Sequence, residues 1–283
     1  MTTLAADHEA CAAVLRAAGS SFALPIRLLP DAKRRGTTAL YAFCRRADDI
    51  VDTAADPATA RHGLDRFEAA TTAALAGTGS DDPVQRALAD AVRRFAIPPQ
   101  VIHDILDGVR MDLVANSYDS VADLDAYCRR VASAVGVAAI HIWGFLDDAA
   151  IDRADDCGLA FQYTNILRDI PEDLGRGRIY LPAEDLTACG CTAAELRSGR
   201  LHEGFDRLAA RLVARAEGRY VRAAALDRML TTDGRLAFRA MFGVYRSLLG
   251  AVRRAGRGIF TRRVKPAKPR LLAAAAKTLL LGP

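Results

Sequence analysis

The chain has 283 residues, 51% of them apolar and only 6% aromatic, and a formal net charge of +5. That apolar share is ample for one large core, and no stretch approaches the ~20 apolar residues that a membrane span needs. The six cysteines (Cys11, Cys44, Cys128, Cys157, Cys189 and Cys191) form no CxxC pair, which predicts free thiols in a reducing cytoplasm and excludes a disulfide frame or a zinc ribbon.

The N-terminus lacks a basic region followed by an apolar run, so no secretory signal is expected. Ala, Leu and Arg are abundant and no alternating β-branched run is long enough for a sheet, so the expected fold class is all-α. Residues 4–18 read as a first helix, stopped at Gly19. Pro30-Asp31 opens a long helix that closes near Pro57. A helix over 58–76 runs into the loop Gly77 to Pro83, and another over 84–96 stops at Pro98-Pro99. The next, from Pro98 to about residue 115, bears Asp104, Asp107 and Asp112, which keep no step of four and are expected on a solvated face. Segments over 119–133 and 135–146 follow. The second is nearly uncharged, holds His141 and Trp143, and marks the centre of the core. A helix over 149–173 leads to a loop, Gly175 to Pro182, and a further break from Gly190 to Gly199. Helices near 201–228 and 234–255 precede a basic and apolar tail from about residue 266 to 283. The whole reads as a single domain, 1–283.

Two of these helices carry chemistry. Tyr41, Arg45, Asp48 and Asp52 fall at steps of four, three and four, and Gln162, Asn165, Asp169 and Asp173 at steps of three, four and four. Each set occupies one helix face, with its two aspartates about 6 Å apart along the axis. A solvated helix end explains either pair alone. Two Asp-x-x-x-Asp pairs in apolar settings, facing each other across a bundle, assemble four carboxylates that only cations make tolerable. Oxygen ligands select hard cations, and Mg²⁺ commonly bridges carboxylates to substrate phosphates. The spacing therefore points to a diphosphate substrate held through Mg²⁺. The five histidines form neither HExxH nor Glu-x-x-His, which removes zinc-hydrolase and di-iron readings.

Tyr41-Ala-Phe-Cys-Arg45 leading into Asp48-x-x-x-Asp52, with Gln162-x-x-Asn165-x-x-Arg168-Asp169-x-x-x-Asp173, resembles the squalene/phytoene synthases. The resemblance runs from Ser20 to Pro182 and more weakly through Tyr245 to Arg263. It implies a helical bundle of the isoprenoid synthase type with a central cavity. It also implies Mg²⁺-dependent (or Mn²⁺-dependent) head-to-head joining of two all-trans prenyl diphosphates through a cyclopropyl diphosphate. Phytoene from two geranylgeranyl diphosphates is the preferred product. Presqualene diphosphate, squalene or dehydrosqualene from farnesyl diphosphate is the alternative, with NADPH needed only for squalene. A non-catalytic, membrane-associated family member is the reading from another class, and the presence of all four aspartates argues against it.

By the same resemblance Asp48, Asp52, Asn165, Asp169 and Asp173 hold metal, with the four aspartates and Tyr41, Tyr127 and Tyr245 catalytic. Ser20, Ser21, Arg45, Gln162, Asn165, Arg168 and Tyr180 contact substrate. Taken singly, the serines read equally well as helix caps and the tyrosines as core residues. The arginines read equally well as helix-stabilising partners of aspartates, worth a few tenths of a kcal/mol. Two positions depart from the family pattern: Tyr163, where a smaller residue is more usual and channel shape comes into question, and Arg110, where an acid is common.

From Gly234 onward there is no acid and there are twelve Lys or Arg. Subtracting these from +5 leaves −7 for residues 1–233. No base-stacking aromatics accompany the basic end, so nucleic acid is not expected. Peripheral contact with an anionic membrane at its cytoplasmic face is preferred, worth about 1 kcal/mol per well-placed cation. The apolar run Leu271 to Leu281 is too short to span a bilayer but able to lie on one. Arg262 or Arg263 reaching back to the diphosphate is the competing use of the same charges. The oligomeric state is left open.

Overall fold

The computed structural model describes residues 4–20, 22–114 and 117–283, so Ser21 lies outside the described residues. The expected all-α fold is what is found: the described residues include helices and two isolated β-bridges, Ser117–Ile179 and Phe145–Leu230. In chain order the α-helices are α1 (Leu4–Ala18), α2 (Ala23–Arg27), α3 (Asp31–Asp52), α4 (Pro57–Leu75), α5 (Pro83–Arg94), α6 (Pro99–Met111), α7 (Val121–Cys128), α8 (Ala134–Trp143), α9 (Ala150–Gly175), α10 (Ala183–Ala188), α11 (Ala193–Arg197), α12 (Glu203–Ala223), α13 (Leu226–Met229), α14 (Thr232–Ala255) and α15 (Lys268–Leu281). The helix starts follow local chemistry. Asp56 and Asp82 accept backbone N–H groups at the starts of α4 and α5, each followed by a proline whose missing N–H is harmless there. Gly144 ends α8 at φ 84°, a conformation that favours glycine.

One hydrophobic core takes residues from Cys11 to Ala275. Helix α8 lies in it as expected, with Trp143 buried and its Nε1 donating to Thr37 Oγ1 of α3 at 3.1 Å. The carbonyl of Trp143 and the carboxylate of Asp233 both meet Lys33 Nζ, at 2.6 and 3.0 Å, which ties α3, α8 and α14 at one end. The two segments predicted over 119–146 are one helical run, because a five-residue π turn, Arg129–Ser133, joins α7 to α8. Glycines grip this wide turn from both sides. A Cβ at Gly108 of α6 would sit 2.8 Å from Val131, and one at Gly158 of α9 would sit 2.6 Å from the Ser133 nitrogen. The close approach fixes α7 against α9, the two helices that bear Tyr127 and the second Asp pair.

Helix α12 presents Arg211, Arg215, Arg219 and Arg222 to buried acids. Asp185, fully buried, pairs with Arg211 and Arg215 at 2.7 Å each, Asp125 pairs with Arg219 at 2.6 Å, and Asp156 pairs with Arg219 and Arg222. The tail is not a loose end. Helix α15 packs along α14, where Thr278 Oγ1 donates to the Arg239 carbonyl at 2.7 Å and Gly243 leaves no room for a Cβ beside Ala274. The predicted break from Gly190 to Gly199 contains α11, and α10 lies between it and the predicted loop that ends at Pro182. All six cysteines are free thiols, and among the described residues no helix is long and apolar enough to cross a membrane.

Candidate active site

Helix α3 carries Asp48 and Asp52, both exposed, and α9 carries Asp169 and Asp173, both half-buried. Asp48 keeps solvent contact yet is surrounded by protein, and burial, followed by the charges of Asp112 and Asp52, pushes its carboxyl up to about 7. Asp173 is likewise pushed up to about 7 by burial, Asp169 and Glu172, against the pull of Arg176 and Arg178. Cys44, Asp112 and Asn165 are likewise half-buried.

The four aspartates do not converge on one point. Among the described residues, the only group of three His, Cys, Asp or Glu with ligand atoms all within 4.8 Å of one another is Cys191, Glu195 and His202. That group caps helices. His202 Nδ1 accepts the Gly204 N–H at 3.0 Å, so Nε2 carries the proton and faces Glu195 at 3.4 Å, while Glu195 accepts from Thr192. At the aspartates, arginines stand between the pairs. Arg176 and Arg178, from the turn after α9, each approach Asp52 to 3.6 Å, and the Arg178 N–H donates to the Asp173 carbonyl at 2.9 Å. Arg168 makes a two-pronged pair with its neighbour Asp169, with Nε–Oδ1 at 2.8 Å. Arg263 reaches Asp169 and Glu172, both at 3.2 Å. Arg45 turns instead to Asp49 at 2.7 Å and is half exposed.

The donor set fits a hard divalent cation. Asn165 donates weakly to Gln162 at 3.4 Å, but its Oδ1 is buried without any partner. An acceptor left so is costly unless something arrives to fill it. Asp48 and Asp173 have raised proton affinity, first through burial and then through neighbouring carboxylates. All of these ligands are oxygens.

The predicted tyrosines fall into two clusters. Tyr118, Tyr127 and Tyr180 stack with centroids 5.1–6.1 Å apart, and the Tyr180 hydroxyl donates to Asp112 Oδ1 at 2.7 Å. Tyr41 and Tyr245 flank Phe22 at 6.2 and 5.7 Å, and Tyr245 stacks on Phe161 at 4.0 Å. Ser20 Oγ accepts the Phe22 N–H at 3.2 Å, a cap on the turn into α2.

Two expectations are corrected. Asp112 does not lie on a solvated face: it ends α6 and turns inward to Tyr180 and Arg178, and its carboxyl is raised first by burial. Tyr163 does not shape the channel. It is fully buried on another side of α9, donating to Asp125 at 2.7 Å with the Arg215 guanidinium 5.8 Å from its ring centre. Arg110 replaces an acid but finds two on α4, Asp65 at 2.6 Å and Glu68 at 2.5 Å. Sequence reasoning missed Asp112, Tyr118, Arg176 and Arg178. A signal existed for the arginines, since Arg176-Gly-Arg178 directly follows the second Asp pair. None existed for Asp112, which sits just past a helix end where helical phase no longer applies.

The sequence matches the squalene/phytoene synthase family over residues 15–270. It is 34% identical to a phytoene synthase of Mycobacterium tuberculosis, covering 100% of this chain and 95% of that protein. It is 33% identical to one of Arthrospira platensis, covering 91% and 87%. Its fold is similar to a ligand-bound dehydrosqualene synthase, with TM-score 0.89 and 30% identity over 97% of this chain and 95% of that one. A squalene synthase from Alicyclobacillus acidocaldarius is similar with TM-score 0.83 and 30% identity over 89% and 95%. With an Asp-x-x-x-Asp pair on each of α3 and α9 and a family match across nearly its whole length, the chain belongs to the squalene/phytoene synthase family.

Proposed function

We propose that this protein is a prenyltransferase that joins two molecules of geranylgeranyl diphosphate head to head, through a cyclopropyl diphosphate, to give phytoene. The observation that carries the reading is the pair of aspartate motifs on α3 and α9, linked where Arg176 and Arg178 approach Asp52, in a chain 33–34% identical to phytoene synthases over nearly its full length. Dehydrosqualene or squalene formation from farnesyl diphosphate is the second reading, favoured by two similar folds at 30% identity.

Asp48, Asp52, Asn165, Asp169 and Asp173 would hold Mg²⁺, which when bound neutralises a diphosphate and eases its departure. Arg45, Arg168, Gln162 and Ser20 are proposed to orient the diphosphates, and Arg176, Arg178 and Arg263 are placed to exchange their aspartate partners for phosphate oxygens. The stacked phenols of Tyr127 and Tyr180, with Tyr41 and Tyr245 opposite, offer π-faces to an allylic cation. The surrounding apolar wall excludes the water that would quench that cation. The basic, partly apolar end is proposed to rest on an anionic membrane surface, where a hydrocarbon product leaves.

Incubation with farnesyl or geranylgeranyl diphosphate, with and without NADPH, followed by mass spectrometry of the products, tests this. Phytoene from geranylgeranyl diphosphate without NADPH is expected. Products from farnesyl diphosphate alone would move the protein to the second reading.

A further inference from the structure

We infer that Asp112 is a positioning residue that orients the phenol of Tyr180 with its hydroxyl hydrogen turned away from the reacting carbons. This rests on the reaction proposed above. Asp112 is the residue just past the end of α6, and its Oδ1 accepts the Tyr180 hydroxyl at 2.7 Å. Tyr127 and Arg178 lie beside this carboxylate. The two rings stack at 5.1 Å and 21°, with Tyr118 against both. Their backbones are set independently: Ser117 bridges Ile179, and the Ala183 N–H donates to the Tyr118 carbonyl at 2.9 Å. The loop therefore fixes where the Tyr180 ring stands, and Asp112 fixes which way its hydroxyl points. Tyr118 provides the contrast, because its hydroxyl is buried without a partner.

The direction matters because a phenol is ambivalent beside a carbocation. With its O–H aimed into the cavity, the positive end of that dipole opposes positive charge there. With its O–H committed to a carboxylate, its oxygen is more electron-rich and its ring face is left to stabilise positive charge. Asp112 lies on the Asp48 and Asp52 side of the site, but its Oδ1 is taken up by the Tyr180 phenol, and the Arg178 charge lies nearby.

The test combines kinetics with a readout independent of turnover. Asp112→Ala is expected to lower kcat for geranylgeranyl diphosphate at least thirtyfold with KM changed less than threefold. Asp112→Asn, which keeps a carbonyl acceptor, should recover most of that loss. Tyr180→Phe should lose a comparable amount, and Asp112→Ala with Tyr180→Phe should be no slower than the slower single variant, because both remove one interaction. Independently, 3-fluorotyrosine at position 180 should give a sharp ¹⁹F resonance in the otherwise native protein and a shifted, broadened one in Asp112→Ala. The inference is overturned by native kcat in Asp112→Ala, by losses that multiply in the double variant, or by an unchanged ¹⁹F resonance. Full recovery of kcat at tenfold higher Mg²⁺ would also overturn it, by making Asp112 a metal ligand. If the native protein turns over neither prenyl diphosphate, the proposed reaction fails, and the ¹⁹F comparison still decides the role of Asp112.

Discussion

Asp48 and Asp169 belong to the same constellation but differ in what their removal does to the metal-free protein. Asp48 is crowded by Asp52 and Asp112, so Asp48→Asn relieves repulsion. It is expected to abolish turnover while leaving thermal stability equal or higher. Asp169 is paired with Arg168 and Arg263, so Asp169→Ala strands a half-buried guanidinium. It is expected to abolish turnover and also to cost about 1–3 kcal/mol by urea denaturation. Equal stability changes in the two variants would contradict the charge distribution described. Asp48 and Asp173, both raised to about 7, predict a pH dependence as well. Between about pH 4 and 7 the folded chain holds protons on these groups that the unfolded chain has released, so raising the pH disfavours folding. Chelator-treated protein should therefore lose stability from this pair as pH rises from 5 to 8, and Mg²⁺ should restore it most at the upper end. In Asp48→Asn the slope should flatten.

Helix α9 shows why one element was readable and its surroundings were not. Its 3.6-residue phase put Gln162, Asn165, Asp169 and Asp173 on one face, and they are on one face. The helix is buried on its other sides too, by Leu159, Ala160, Thr164 and Ile166, so hydrophobic pattern alone does not say which side meets the cavity. Tyr163, one residue from Gln162, points about 100° away and meets Asp125 and Arg215, contacts across 38 and 52 positions that no local pattern encodes. The arginine ladder of α12 was hidden in the same way, since charges at steps of four read as a solvated face. Its energetics are testable. Asp185→Ala leaves Arg211 and Arg215 without their buried partner and is expected to cost about 3–5 kcal/mol, measured by urea denaturation. Gly158→Ala drives a Cβ into the backbone of the π turn, and a loss of several kcal/mol is expected because backbone, unlike a side-chain end, has little room to give.

At the scale of the whole molecule, the unevenness of charge acquires a place once α15 is seen docked on α14. Its inner side, with Ala275 and Thr278, is taken up by α14, yet Leu272, Leu280 and Leu281 on the outside remain 52, 82 and 78% exposed. A helix apolar on both sides has a second partner or a poorly soluble face. A second copy of the same surface would bring like charges together, since no acid follows Asp233. An anionic bilayer fits both the charge and the leucines. Deleting the tail is a poor test, because it also uncovers Gly243 and the α14 face beneath. Leu280→Asn with Leu281→Asn leaves the inner side intact. Each leucine buried in a membrane contributes about 1.5–3 kcal/mol, so the pair should weaken sedimentation with phosphatidylglycerol vesicles at least tenfold while leaving turnover in detergent unchanged. Binding by the native protein should also weaken between low and physiological salt, because exposed charges are screened over about 8–10 Å. Undiminished vesicle binding by the double variant would remove α15 from the membrane contact.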